Sequence, residues 1–225
     1  MKFEQLAGKV SSKFVASAPY LFTPRQEFTS TLSKIELFTK IIDVPGVIIE
    51  CGVQKGNSLM LWHLLSSVKE PYNVGRRIIG FDTFEGFPSV SPHDGDWSPG
   101  YLGDGDFDIL IESANLHEMN SATPGLKKIQ TIKGDATVEI PKFIEREKSS
   151  LAISLLYLDF DLYEPTLIGL QNLYQYVVTG GIIAFDELFQ KKWPGETKAF
   201  NEFFESKPKL YKSEHDPHLT YFVKD

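Results

Sequence analysis

The sequence is almost without cysteine: Cys51 is the single one in 225 residues, so no internal disulfide can form and a reducing compartment is expected. Cations are in deficit, with 23 Lys and Arg against 30 Asp and Glu and a formal net charge of −7. Gripping nucleic acid requires a surplus of Lys and Arg to displace counterions, so nucleic acid is excluded as a partner. Long apolar runs are missing as well. Segments such as 47–49 and 182–185 fall far short of the ~20 residues that cross a bilayer. The start, Met1-Lys2-Phe3-Glu4-Gln5-Leu6, lacks the apolar core of a signal peptide. These absences predict a cytoplasmic protein with no membrane partner. The five histidines include no H-x-x-x-H pair, which removes the usual helical zinc site.

What remains is an ordinary globular composition, 42% hydrophobic and 24% charged. At ~150 residues per domain, one elaborated domain fits better than two. Residues 1–46 read as a mostly helical N-terminal cap, with Leu32, Ile35, Phe38 and Ile42 at steps of three and four. From Val47 onward, short β-branched runs alternate with helical patterns, which predicts an α/β fold with a parallel sheet covered on both faces. The strands are expected at 47–51, 77–81, 128–133, 153–158 and 181–185, and helices at 58–68, 138–147, 165–176 and 197–205. Residues 210–214 and 219–223 read as a hairpin that adds antiparallel strands at one edge. Residues 47–225 thus form the main domain. The stretch 87–108 interrupts the pattern with Pro88, Pro92, Pro99 and a run of Asp and Gly. It is too long for a routine connection, so it reads either as a mobile surface loop or as a lid over the active-site end of the sheet.

Ligands of open α/β sheets bind beyond the carboxyl ends of the strands, and each conspicuous polar cluster falls at such an end. The first is Glu50-Cys51-Gly52-Val53-Gln54-Lys55-Gly56-Asn57-Ser58. Gly52 and Gly56 permit a tight turn and close backbone approach, and the following helix offers free N–H groups. The spacing is not G-x-G-x-x-G, and a carboxylate at Glu50 would repel a pyrophosphate but can pair with an ammonium. Asp82 and Thr83 end the second strand, where a carboxylate can accept the hydroxyls of a ribose. Asp135 and Ala136 follow the third, suited either to an adenine edge or to capping the next helix. Asp159, in Asp159-Phe160-Asp161, and the pair Asp186-Glu187 end the fourth and fifth strands. Adjacent strands would gather Asp159, Asp186 and Glu187 at one rim. Such an all-oxygen set suits Mg²⁺, or Mn²⁺ or Ca²⁺, and is poor for zinc.

These residues resemble the macrocin-type sugar O-methyltransferases, which are Mg²⁺-dependent class I methyltransferases. Glu50-Cys51-Gly52-Val53 with Gly56 and Ser58 is similar to that family's first motif, and Phe81-Asp82-Thr83-Phe84-Glu85-Gly86 to its second. Asp159-Phe160-Asp161-Leu162-Tyr163-Glu164 is similar to D-G-D-x-Y-E, and Gly180-Gly181 through Asp186-Glu187 to G-G-x-x-x-x-D-D. Phe160 and Glu187 stand where the family has Gly and Asp. The resemblance implies a single Rossmann-like methyltransferase domain that binds S-adenosylmethionine. It implies metal ligation by Asp159, Asp186 and Glu187, with Asp159 also a candidate general base. The acceptor implied is a small molecule with vicinal hydroxyls, a (deoxy)sugar or a glycosylated natural product. Two other functions compete: a glycosyltransferase using Asp159-Phe160-Asp161 as a D-x-D motif, and a non-catalytic adenosyl-binding module. Exposed hydrophobics in the first helix leave room for a homodimer.

Overall fold

The computed structural model describes residues 2–225. Helices α1 (Phe3–Ala7), α2 (Ser12–Ser17) and α3 (Arg25–Lys40) come first. Then follow β1 (Val47–Cys51), α4 (Asn57–Lys69), β2 (Ile78–Asp82), α5 (Phe107–Met119), β3 (Ile129–Lys133) and α6 (Ala136–Glu147). The second half comprises β4 (Ile153–Leu158), α7 (Tyr163–Leu173), β5 (Val177–Phe185), α8 (Pro194–Phe203), β6 (Tyr211–Lys212) and β7 (Thr220–Val223). The strands make one seven-stranded sheet in the order β3-β2-β1-β4-β5-β7-β6. Strands β1 to β5 pair in parallel, β7 runs antiparallel to β5, and β6 antiparallel to β7. All five expected parallel strands and the terminal hairpin are therefore present.

Burial explains why the strands read as continuous apolar runs. Every residue of β1 and β4 is buried, whereas β3, further out, is mostly half-exposed. One face of the sheet packs on Ile140 and Phe143 of α6, Leu170 and Leu173 of α7, and Phe200 of α8. The other packs on Leu37 and Phe38 of α3, Leu59 and Trp62 of α4, and Leu110 of α5. Chain direction across the sheet reverses between β1 and β4, and a crevice opens there at the carboxyl ends.

Two expectations are corrected. Helix α5 was not anticipated: its buried face is Leu110, Ala114 and Glu118, while Ile109, Leu116 and Met119 are exposed, so the apolar period is blurred. On α3 the buried face is Ser33, Lys34, Leu37 and Phe38, while Leu32 and Ile35 are only half-buried. The face is turned by about one residue and carries a lysine inward.

Arg76 fastens α3 to the sheet. It is 1% exposed and donates to the carbonyls of Ile41, Val44 and Gly46, to Ser154 Oγ on β4, and to Glu70 at 2.8 Å. The guanidinium thus satisfies carbonyls left open past the end of α3, and its charge is matched by one carboxylate. Removing one member of such a buried pair strands its partners. Arg76→Met is expected to destabilise the fold by about 3–5 kcal/mol, read as a lower urea midpoint at unchanged slope.

Candidate active site

The turn after β1 is set by backbone contact. Gly52 has φ +97°, and a Cβ there would collide with the carbonyl of Asp159, at the end of the neighbouring β4. The Asp159 N–H donates to the Cys51 carbonyl at 2.7 Å, so the two strand ends are locked together. Gly56, with φ +85°, occupies the N-cap position of α4, where a Cβ would strike Leu110. Only glycine fits both positions without strain.

Asp82 holds this turn from below. Its Oδ2 accepts from the N–H groups of Val53 and Gln54, both at 2.7 Å, and its Oδ1 accepts from Phe84 N–H at 2.6 Å. The carboxylate expected to meet a ribose is therefore also the clamp of the glycine turn. Thr83 donates to the Gly86 carbonyl at 2.6 Å and shapes the entry to the following loop. Asp135 caps α6 through Thr137 N–H at 2.9 Å, so the capping expectation holds, while Asp135 and Ala136 also face the crevice.

Glu50 is placed differently from Ser58. It is fully buried, accepts from Ser58 Oγ at 2.6 Å and Trp62 Nε1 at 2.8 Å, and lies beneath the crevice instead of lining it. Its action on a ligand therefore passes through Ser58, which does line the crevice. Burial pushes the Glu50 carboxyl up to about 7, with Ser58, Lys34 and Trp62 opposing and Asp82 reinforcing.

The acids at the ends of β4 and β5 crowd together. Asp159 is half-buried, and its carboxyl is held well above the carboxylate range, first by desolvation and then by Asp186 and Asp161. Burial, Asp186 and Glu187 raise Asp161 to about 8, and burial with Asp186 raises Glu187 to about 7. Asp186 accepts a short hydrogen bond from the Tyr157 hydroxyl. Among the described residues, no three His, Cys, Asp or Glu side chains converge on one point in metal-ligand geometry. Asp159 lines the crevice, whereas Asp186 and Glu187 stand behind it.

Several groups were not foreseen. Glu196 on α8 is fully buried in the same acidic cluster, accepts from Glu187 N–H at 3.1 Å, and leaves Oε1 without a partner. Lys34 reaches the crevice from α3. Neither stands in a recognisable motif; only packing brings them there.

The loop between β2 and α5 is ordered against the body. Phe87, Leu162 and Trp193 form a small core with Val90, Trp97 and Leu102 packed on it. Trp97 stacks on Trp193 with centroids 4.0 Å apart and planes 10° apart, and Lys192 lies over both rings. Asp94, 1% exposed, accepts from Tyr163 N–H at the start of α7. Asp104 bridges to Lys55 at 2.6 Å and accepts from Gln54 Nε2 at 3.0 Å. The stretch is thus packed on the body of the protein, and its last residues, Phe107 and Asp108, already belong to α5.

Lid, glycine turn and α3 together enclose a crevice of about 1080 Å³. That is at the upper end of small-molecule sites, ~300–1,000 Å³, and leaves room for a cofactor and an acceptor side by side.

This strand order, with an antiparallel seventh strand and a glycine turn after the first, defines the class of S-adenosylmethionine-dependent methyltransferases. The sequence matches the macrocin O-methyltransferase (TylF) family over residues 32–212. The fold superimposes on CalS11, described as a calicheamicin methyltransferase, with TM-score 0.88 and 33% identity over 95% of this chain and 86% of that one. An apo structure of CalS11, described as a TDP-rhamnose 3′-O-methyltransferase, aligns with TM-score 0.81 and 33% identity over 95% of this chain and 87% of that one. The O-methyltransferase NovP shares the fold, with TM-score 0.61 and 21% identity over 87% of this chain and 79% of that one. No curated protein sequence matches. The chain belongs to the macrocin O-methyltransferase (TylF) family and is an S-adenosylmethionine-dependent O-methyltransferase. Family membership displaces the glycosyltransferase and non-catalytic readings. No helix among the described residues is long and apolar enough to cross a membrane.

Two outcomes are expected from this geometry. The folded Glu50 carboxyl binds its proton more tightly than the unfolded one, so its contribution to stability is complete below about pH 4.5 and is lost as pH rises toward 7. The stability difference between the native protein and Glu50→Gln should therefore shift in favour of the variant by roughly 3 kcal/mol across that window; a flat difference in denaturation midpoints would contradict it. Trp97→Ala should undock the lid, seen as faster limited proteolysis within residues 87–106 while the rest of the chain stays protected.

Proposed function

We propose that the protein transfers a methyl group from S-adenosylmethionine to a hydroxyl of a sugar, a (deoxy)sugar or glycosylated natural product, with Mg²⁺ at the acidic rim. The observation that carries the reading is the crevice itself, in which the glycine turn and Asp159 share one wall. CalS11, 33% identical and described as acting on TDP-rhamnose, supports a sugar acceptor, and a nucleotide-linked deoxysugar is the first to try.

Gly52, Gly56 and Ser58 receive the methionine end of the donor, with Glu50 fixing the Ser58 hydroxyl from below. Asp82 and Thr83 take the ribose side, and Asp135 with Ala136 the adenine. The acceptor hydroxyl gives its proton to the Asp159 carboxylate as its oxygen forms a bond to the methyl carbon. The carbon–sulfur bond breaks with its electron pair on sulfur, leaving neutral S-adenosylhomocysteine. Alignment of oxygen, carbon and sulfur with the reacting atoms ~3–3.5 Å apart supplies part of the acceleration. The docked lid keeps water out of the crevice during transfer.

By donor chemistry the acids at this rim suit a divalent cation, although their side chains do not converge in metal-ligand geometry. They offer only oxygen, their negative charges repel one another, and Glu196 Oε1 is a buried acceptor with no donor. Asp159, Asp186 and Glu187 would hold Mg²⁺, with Mn²⁺ or Ca²⁺ as substitutes. When bound, the cation would act as a Lewis acid toward the acceptor hydroxyls and offset the carboxylate charge.

The decisive variant is Asp159→Asn, which keeps the backbone contact with Gly52. It should lower turnover by about 100-fold or more while calorimetric affinity for S-adenosylhomocysteine stays within about twofold. Turnover at the native rate would remove Asp159 from the chemistry. Added MgCl₂ should raise the melting temperature of the native protein, and Asp186→Asn should abolish that rise.

A further inference from the structure

Lys34 is a cation inside the crevice with no anion to answer it. It is 7% exposed, and its Nζ donates to Ser30 Oγ at 2.8 Å and sits 5.1 Å from the centre of the Tyr157 ring. None of the ion pairs within 4.0 Å among the described residues involves it. An ammonium has three donors, and here one neutral hydroxyl uses one of them. Burying such a charge without a counter-ion is costly, and proteins rarely keep one unless a ligand completes it.

The position of Lys34 says which ligand group that is. Its charge acts on both Glu50, at the end of β1, and Asp159, just past β4, so it stands over the floor where the two strands meet. It lines the crevice with Gly52, Ser58 and Asp159. Glu50 lies beneath the crevice, with its oxygens hydrogen-bonded to Ser58 and Trp62, and makes no ion pair with Lys34. The donor's methionine end, which the glycine turn receives, is a zwitterion with one carboxylate and one ammonium. A lone lysine beside a serine hydroxyl complements the carboxylate, and the nearby carboxyl groups complement the ammonium.

We infer that Lys34 of α3 binds the carboxylate of S-adenosylmethionine, so that α3 is part of the cofactor site. The inference rests on the proposed placing of the donor along the glycine turn. Its corollary is that cofactor binding fastens α3, and with it the crevice wall formed by Tyr20, Glu27 and Thr31, before an acceptor enters.

Two ligands separate this role from others. S-adenosylhomocysteine carries the carboxylate, whereas 5′-methylthioadenosine keeps adenine, ribose and thioether but lacks both charged groups. In calorimetric titration, Lys34→Met should weaken S-adenosylhomocysteine by about ten- to a hundredfold and leave 5′-methylthioadenosine within about twofold. Lys34→Arg should keep most of the affinity, since it restores a cation. Equal losses for both ligands would show that Lys34 only supports the fold of α3, and would overturn the inference. Unchanged affinity for S-adenosylhomocysteine with a raised KM for a nucleotide-linked sugar would overturn it too, by assigning the lysine to an acceptor phosphate. If the native protein binds 5′-methylthioadenosine as tightly as S-adenosylhomocysteine, the carboxylate is not read at all and the inference falls while the adenosyl site stands. Binding of neither ligand to the native protein would overturn the adenosyl site itself.

Discussion

The contact between Gly52 and the carbonyl of Asp159 is the constraint on which the site depends. It lies where the strand order reverses, and it presses the turn after β1 against the first residue past β4. Because no Cβ intervenes, the glycine turn and Asp159 are set by backbone atoms, whose positions tolerate little movement. The clamp from Asp82 to Val53 and Gln54 extends the same rigidity to the next strand. A transfer reaction that needs its reacting atoms in line gains from such a base, since positioning is then built into the sheet and not left to a loop.

Charge is the second organising force. Asp159, Asp161, Glu187 and Glu196 are all raised by burial and by neighbouring acids, with Asp186 contributing to each. Lys34 opposes the shift at Asp159, Lys192 at Asp161, and His218 with Lys192 at Glu187. Such a group is unstable as a set of bare anions. The lid contributes to this balance, since Asp104 is neutralised by Lys55 and Asp94 is spent on backbone N–H groups and a serine, adding little free negative charge to the crevice.

Much of this was legible in the residues. The parallel strands announced themselves because β1 and β4 are buried on both faces and so are apolar apart from Glu50 and Ser154, while the polar clusters stood out where each run ended. Helix α5 escaped because its exposed face is as apolar as its buried one. Lys34 escaped for the opposite reason: a lysine on a helix reads as solvent-facing, and the Leu32–Ile35 pair drew the apolar stripe to the wrong side. Glu50 was visible as important, but its burial under Ser58 was not, because nothing local tells whether a strand-end carboxylate points up into a crevice or down into a core.

The sequence by itself determined the order of the strands and of the helices other than α5, the glycine turn and the acids at successive strand ends, because these follow from local periodicity, from backbone freedom and from residues adjacent in the chain. Tertiary structure alone decided that Asp82 clamps the turn, that Glu196 joins the acids, that the lid docks through Trp97 on Trp193, and that α3 turns a lysine inward. Each of those depends on groups brought together from distant parts of the chain, as Trp97 and Lys192, 95 positions apart and hydrogen-bonded, illustrate. Pairings of that kind arise from packing two faces of one sheet at once, and no short stretch of sequence carries the information for both faces.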